Sequence, residues 1–263
     1  MGDLRILAVQ TRFALIGAAR SSRVLVFGIA LPIFLLVLFD EVFVRGGNRT
    51  THVAGKVIST EAYYTAGLAA YAIMLQTFTS LAITVTTQRE SGQLKRLRGT
   101  PMPAWTFIGA YVLRSVTFVI AMVLSLFLIG ALAFHVHLHA SGVLGLAVYV
   151  AVATIALGAL GLAVTIICPT PETASTVGPF AAVILSFVSG VFIPLAALPG
   201  WLSTVGKVFP LEHLAAGMQR GLVRGATGTG ITATDLGILA AWAVAGLVIA
   251  AVGFRWEPQG NRG

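Results

Sequence analysis

From Ala104 to Phe134 the chain reads AWTFIGAYVLRSVTFVIAMVLSLFLIGALAF, an apolar run broken by one charge, Arg114. Crossing a hydrocarbon core of about 30 Å takes roughly 20 mostly apolar residues at 1.5 Å each. The run has no period-two alternation, and lipid offers no partner for a free backbone group, so it predicts a spanning α-helix. Five further stretches qualify: about Val24–Val44, Ala62–Thr87, Gly142–Ile167, Ala174–Pro194 and Leu236–Phe254. The rest of the chain agrees. Of 263 residues, 57% are hydrophobic and only 10% charged, whereas a water-soluble domain carries about a quarter charged residues. Mean hydropathy is +0.92. The expected fold is an all-α polytopic membrane protein with six transmembrane helices.

What lies between the spans sets the organisation. Residues 1–23 carry Arg5, Arg12, Arg20 and Arg23 among Leu4, Leu7, Phe13, Leu15 and Ile16. On a helix, Arg5, Arg12 and Arg23 fall within about 20° of one another. The segment therefore reads either as an amphipathic helix along the interface or as a basic flank that orients insertion. Residues 24–254 form the transmembrane domain, with a polar loop at 88–103, and residues 255–263 form a tail. Residues 195–234 are too hydrophobic for a solvated loop, and their pieces, Trp201–Phe209 and Leu211–Val223, are too short to cross. Pro194, Pro199 and Pro210 punctuate them, which predicts short re-entrant helices between the fifth and sixth spans. Gly217, Gly221 and Gly225 recur there at a spacing of four, permitting close helix packing.

Charge gives the orientation. Ten basic residues flank the side of both termini against six on the other, Arg114 excepted. The positive-inside rule then places both termini and the 88–103 loop in the cytoplasm. Basic residues scattered at span edges form no stripe interleaved with aromatics, so the +8 net charge does not indicate nucleic-acid binding.

The sequence is poor in chemistry. It has no phosphate-binding G-x-x-x-x-G-K-[ST], no H-E-x-x-H and no G-x-S-x-G, so no catalytic residue and no cofactor is assigned to the chain. The single Cys168 excludes an internal disulfide. Acids fall at span ends, leaving no carboxylate relay for a coupling ion. That absence counts against an ATP-independent secondary transporter, and the absence of clustered catalytic side chains counts against a membrane-embedded enzyme. Arg114, about ten residues into the third span, is expected to snorkel to the cytoplasmic interface. His135, His137 and His139 alternate at the outer end of that span, with no carboxylate nearby in sequence; they read as a polar interfacial loop, and no metal is expected. Tyr64, Tyr71 and Phe78 recur every seven residues on the second span, as do Phe180 and Phe187 on the fifth. These faces either line an apolar route or make lipid and packing contacts.

The richest polar stretch runs Gln88-Arg89-Glu90-Ser91-Gly92-Gln93-Leu94-Lys95-Arg96-Leu97-Arg98-Gly99-Thr100-Pro101-Met102-Pro103. Acid early and bases late suit a helix dipole, and Leu94 and Leu97 share a side. This stretch resembles the signature of the type-2 ABC exporter permeases, which export drugs, lipids and polysaccharides. Ser189-Gly190-Val191-Phe192-Ile193-Pro194-Leu195, with Leu198-Pro199-x-Trp201-Leu202 and Phe209-Pro210-Leu211-x-His213, resembles that family's fifth span and outer re-entrant helices. Within that family the chain resembles antibiotic and daunorubicin-type export permeases.

The resemblance implies a transport subunit with no catalytic activity of its own. A separate cytoplasmic ABC ATPase, two copies per transporter, would bind ATP and Mg. A second permease, identical or not, would complete the membrane part. Arg89 to Arg98 would form a coupling helix docking into the ATPase, with Arg89, Glu90, Gly92, Leu94, Lys95, Arg96, Leu97, Arg98 and Pro101 as its functional residues, and residues 1–23 would be the connecting helix. Tyr64, Tyr71, Phe78, Phe180 and Phe187 would flank the cargo route. Pro194, Pro199, Trp201, Pro210 and His213 would build the re-entrant region. The expected location is the plasma (inner) membrane, in contact with lipid.

Overall fold

A computed structural model describes residues 3–20, 30–44, 47, 49–53, 55–93, 104–223 and 228–253. The first helix, α1, spans Asp3–Ala19. Helix α2, Leu31–Phe39, runs into a π-helical segment at Asp40–Val44. A hairpin follows, β1 (Thr50–Val53) and β2 (Lys56–Ser59), antiparallel with Val53 opposite Lys56. Gly55 at φ 76° supplies the left-handed residue its tight turn requires. The sequence reading had no strands here.

The second span is one continuous helical column: α3 (Thr60–Met74), a π-helical segment (Leu75–Thr79) and α4 (Ser80–Glu90). Ser59 caps it by accepting from the Ala62 N–H at 3.3 Å. Then come α5 (Ala104–Phe134), α6 (Ala140–Val164) and α7 (Pro171–Val188). Thr170 caps α7 by accepting from the Thr173 N–H, and Pro171 occupies its first turn. A 3₁₀ turn at Leu195–Ala197 leads to α8 (Gly200–Gly206), α9 (Pro210–Gly221) and α10 (Ala233–Gly253).

Five helical columns among the described residues are long and apolar enough to cross a membrane: Thr60–Glu90, Gly109–Phe134, Ala140–Val164, Pro171–Val188 and Ala233–Gly253. They match the second to sixth expected spans. The expected first span begins outside the described residues, which show its later part as α2 and the π segment.

Thr60–Glu90 is the axis of the bundle, buried on nearly every side. Its residue sizes explain this, since Ala62, Ala66, Gly67, Ala69, Ala70 and Ala72 let neighbouring backbones approach. A Cβ on Gly67 would lie 3.1 Å from the Val191 carbonyl oxygen. At the π segment, a Cβ on Gly161 would come within 2.7 Å of the Phe78 carbonyl oxygen, so α6 passes hard against the widened turn. Of the three spaced glycines, Gly217 packs against the Tyr149 ring and Gly221 lies across from Gly142, while Gly225 is outside the described residues.

One boundary departs from expectation. Arg89 and Glu90 do not open a separate helix; they form the last turn of α4. Val85 and Arg89, four residues apart, both face the interior, so packing continues to the end of the column. Ser91 then donates to the Gln88 carbonyl, and Gly92 at φ 69° ends the helix in a left-handed turn.

Candidate functional site

At the end of α4 the side chains turn inward. Arg89 is 1% exposed. Its guanidinium donates to three carbonyl oxygens, of Thr165 at 3.0 Å, Cys168 at 2.7 Å and Pro169 at 3.0 Å. These carbonyls follow the last turn of α6, where the helix dipole is negative and carbonyls lack helical partners. A planar fork with five N–H groups fits such a cluster, as an ammonium would not. Arg89 therefore ties the end of the second span to the loop joining α6 and α7. Its placement differs from the docking role expected for it. Glu90 is exposed, and Gly92 forms the turn. Leu94, Lys95, Arg96, Leu97, Arg98 and Pro101 lie outside the described residues.

A second tie lies about one and a half to two and a half turns further back along the second span. Arg114 does not snorkel. It is 8% exposed and reaches across to α4 and its first residue, donating to Ser80 Oγ at 2.8 Å and Thr84 Oγ1 at 3.4 Å. The Tyr111 ring lies 5.8 Å from the guanidinium carbon, and the Gln88 amide donates to the Tyr111 hydroxyl. Hydroxyls on the neighbouring helix supply its hydrogen bonds, so the cation is solvated by the bundle.

The aromatic residues expected to share a route are divided. Tyr64 and Tyr71 are buried inside the bundle. Tyr64 packs on Phe39 and Phe43, with ring centroids 5.1 and 5.3 Å away, and Tyr71 packs on Phe192 at 5.3 Å. Phe187 is half exposed and touches Phe192 from the other side at 5.2 Å; Phe180 points outward. Phe78 borders an almost wholly apolar cavity of about 350 Å³, lined also by Leu157, Leu185, Phe209 and Trp242. A spacing of seven does not say whether a helix face meets lipid or protein, and Phe78 lies in the π segment, where the α-helical spacing shifts.

The region between the last two spans holds a buried polar cluster. Pro194 and Pro199 precede the 3₁₀ turn and α8, Pro210 opens α9, and Trp201 is exposed. The α8–α9 elbow touches α10, where Trp242 Nε1 donates to the Val208 carbonyl at 2.8 Å. His213 is 5% exposed. Its Nε2 meets the Lys207 carbonyl at 2.8 Å, and its Nδ1 meets Asp235 Oδ1 at 2.7 Å and Glu212 Oε2 at 3.1 Å. The other Asp235 oxygen accepts from Arg220, from Thr232 Oγ1 at 2.6 Å and from the Tyr149 hydroxyl at 3.2 Å. Burial pushes the Glu212 carboxyl above the usual carboxylate range, against the opposing pull of His213, Arg220 and Lys207.

Glu212, His213 and Asp235 present donor atoms within 4.8 Å of one another, the one group of that kind among the described residues that could hold a metal ion. Arg220 already neutralises Asp235, so the hydrogen-bonded ion cluster accounts for the arrangement without a cation. His135, His137 and His139 form no such group; His135 and His137 are exposed on the connection after α5. Of this cluster the sequence reading singled out only His213. Glu212 and Arg220 had a signal, being ionisable residues in a hydrophobic stretch. Tyr149, an aromatic among apolar neighbours in α6, had none.

No curated protein matches the chain. Residues 7–223, well over half of the chain, match the family model described as ABC-2 type transporter. With five candidate spans among its described residues and a polar stretch resembling the family signature, the chain is a multi-pass membrane protein that belongs to the ABC-2 type transporter family, as a permease.

Proposed function

We propose that the chain is the permease of an ATP-driven exporter that moves an amphiphilic or lipophilic cargo, such as a drug, antibiotic, lipid or glycolipid, out of the cytoplasm or inner leaflet. ATP and Mg are bound by a separate cytoplasmic ABC ATPase present in two copies. A second permease, identical or different, pairs with this one. The domain has six spans, both termini lie in the cytoplasm of a plasma-membrane protein, and α8 and α9 are re-entrant.

The observation that carries this reading is the Arg89 tie. Work done on a cytoplasmic docking segment must enter the spans through something stiff. The segment after Glu90 leaves a buried helical column, and at that column's last turn Arg89 grips the α6–α7 loop. Displacement of the docking segment therefore moves the second span together with the ends of α6 and α7. A membrane interior nearly free of charge suits apolar cargo.

The test is reconstitution with the cognate ATPase, comparing ATP hydrolysis and cargo efflux. Wild type couples the two. Arg89→Ala and the triple variant Glu90→Ala/Leu94→Ala/Leu97→Ala retain membrane insertion but lose efflux, the triple variant by releasing the ATPase and Arg89→Ala with the ATPase still bound. Normal efflux in both variants would refute the coupling scheme, and efflux driven by an ion gradient without an ATPase would replace it with secondary transport.

A further inference from the structure

The face of α1 toward α5 carries an apolar groove beside its arginines. We infer that this groove is a binding site for an anionic phospholipid of the surrounding leaflet, its acyl chain against α1 and its phosphate at Arg12 and Arg5. The groove measures about 580 Å³ and is lined by Leu4, Leu7, Leu15 and Ile16, with Leu113 of α5 and with Arg12. That volume lies within the range of about 300–1,000 Å³ typical of small-ligand sites. Helix α1 is seated on α5 where Leu7 meets Gly109; a Cβ there would lie 3.2 Å from Leu7 Cδ1. Beyond that contact Leu4 is 76% exposed and Ile16 is 37% exposed, so the apolar stripe extends past its protein support.

Charge selects the occupant. Leu4, Leu7 and Leu15 fall within about 80° on the helix, and Arg12 follows about 60° from Leu15, with Arg5 about 20° further round. Both arginines are exposed. Asp3, the one acid of α1, falls about 180° from Arg12. One edge of the groove is thus cationic, while Asp3, about 40° beyond Leu7, borders the opposite edge. A zwitterionic lipid fills the apolar part equally well but offers no net charge to that edge. Arginine suits the phosphate, since its planar fork can hold two oxygens at once. The site requires only that α1 meet a membrane surface, so it stands or falls separately from the coupling scheme above.

The measurement is lipid retention by the full-length chain, purified in detergent with equal phosphatidylglycerol and phosphatidylcholine, read by native mass spectrometry. Near an anionic surface each arginine is worth roughly a fivefold preference. The wild type is expected to retain phosphatidylglycerol over phosphatidylcholine by roughly fivefold to twentyfold, less at high salt. Arg5→Gln/Arg12→Gln removes the preference while still carrying lipid, Arg5→Lys/Arg12→Lys keeps most of it, and Arg49→Gln, distant in sequence beside the hairpin, leaves it unchanged. Equal retention of both lipids by the wild type overturns the inference. So does an undiminished preference in the double glutamine variant, or a groove protected only when the chain dimerises.

Discussion

Glycines at helix crossings show how much one atom decides. A Cβ on Gly142 would fall 2.1 Å from the Gly221 carbonyl oxygen, a backbone atom that cannot swing away. Gly158, on the same helix, has nothing within 4 Å. Gly142→Ala is therefore expected to destabilise the fold by about 1–3 kcal/mol, the usual cost of forced overpacking. Gly158→Ala should be neutral or slightly stabilising, since alanine favours helix. Thermal unfolding in detergent separates the two, and equal effects would mean that the α6–α9 crossing is looser than described. Arg89 illustrates the same dependence in a polar setting. Removing it leaves three carbonyls without their charged donor, and hydrogen bonds to charged groups are worth about 1.5–3 kcal/mol each. Arg89→Lys keeps the charge but cannot span three oxygens, so its efflux should fall between wild type and Arg89→Ala.

Glu212 makes a pH prediction. Its carboxyl is raised in the folded protein, chiefly by burial. An acid whose folded pKa exceeds its unfolded value adds stability below the unfolded pKa, and that contribution is lost as pH rises through the folded pKa. The penalty is thus complete well above the carboxylate range and absent below it. Glu212→Gln should raise the thermal midpoint near pH 7.5, with the gain shrinking toward pH 4. A variant less stable than wild type at pH 7.5 would show that the attraction to His213 and Arg220 outweighs burial.

At the scale of elements, the columns are held by different means. The second span, through its own small residues, is packed on nearly every side, whereas α7 and α10 leave most of their surface outward. Helices α8 and α9 are fastened by the ion cluster around Asp235 and by Trp242. Topology is tested element by element through single cysteines on a Cys168→Ser background. Ser91→Cys should react with an impermeant reagent only from the cytoplasm, and Thr50→Cys on the hairpin only from outside. Outside labelling at position 91 would invert the arrangement and remove the docking role of the loop.

For the whole molecule, a permease without a phosphate-binding loop should have no ATPase activity alone. The isolated chain is expected to show no saturable ATP hydrolysis, and a cytoplasmic ATPase should copurify with it from gently solubilised membranes. Saturable hydrolysis by the rigorously purified chain would contradict this.

Span positions were legible because a spanning helix is a local matter. About 20 apolar residues in a row suffice, whatever surrounds them, and the second to sixth spans agree with the run boundaries within about six residues at each end. The prolines that break 195–234 into short helices were legible for the same reason. Which way a side chain faces within a bundle is not local. Arg89 looked like a docking cation and turned out to cap the end of α6; Arg114 looked like a snorkelling residue and bonds across to α4. The Tyr64 and Tyr71 face became core, and Glu212, Asp235, Arg220 and Tyr149 met although up to 86 residues separate them. Burial and pairing depend on which helices become neighbours. Only the packed bundle decides that, because lipid and protein interior are equally apolar to a single helix.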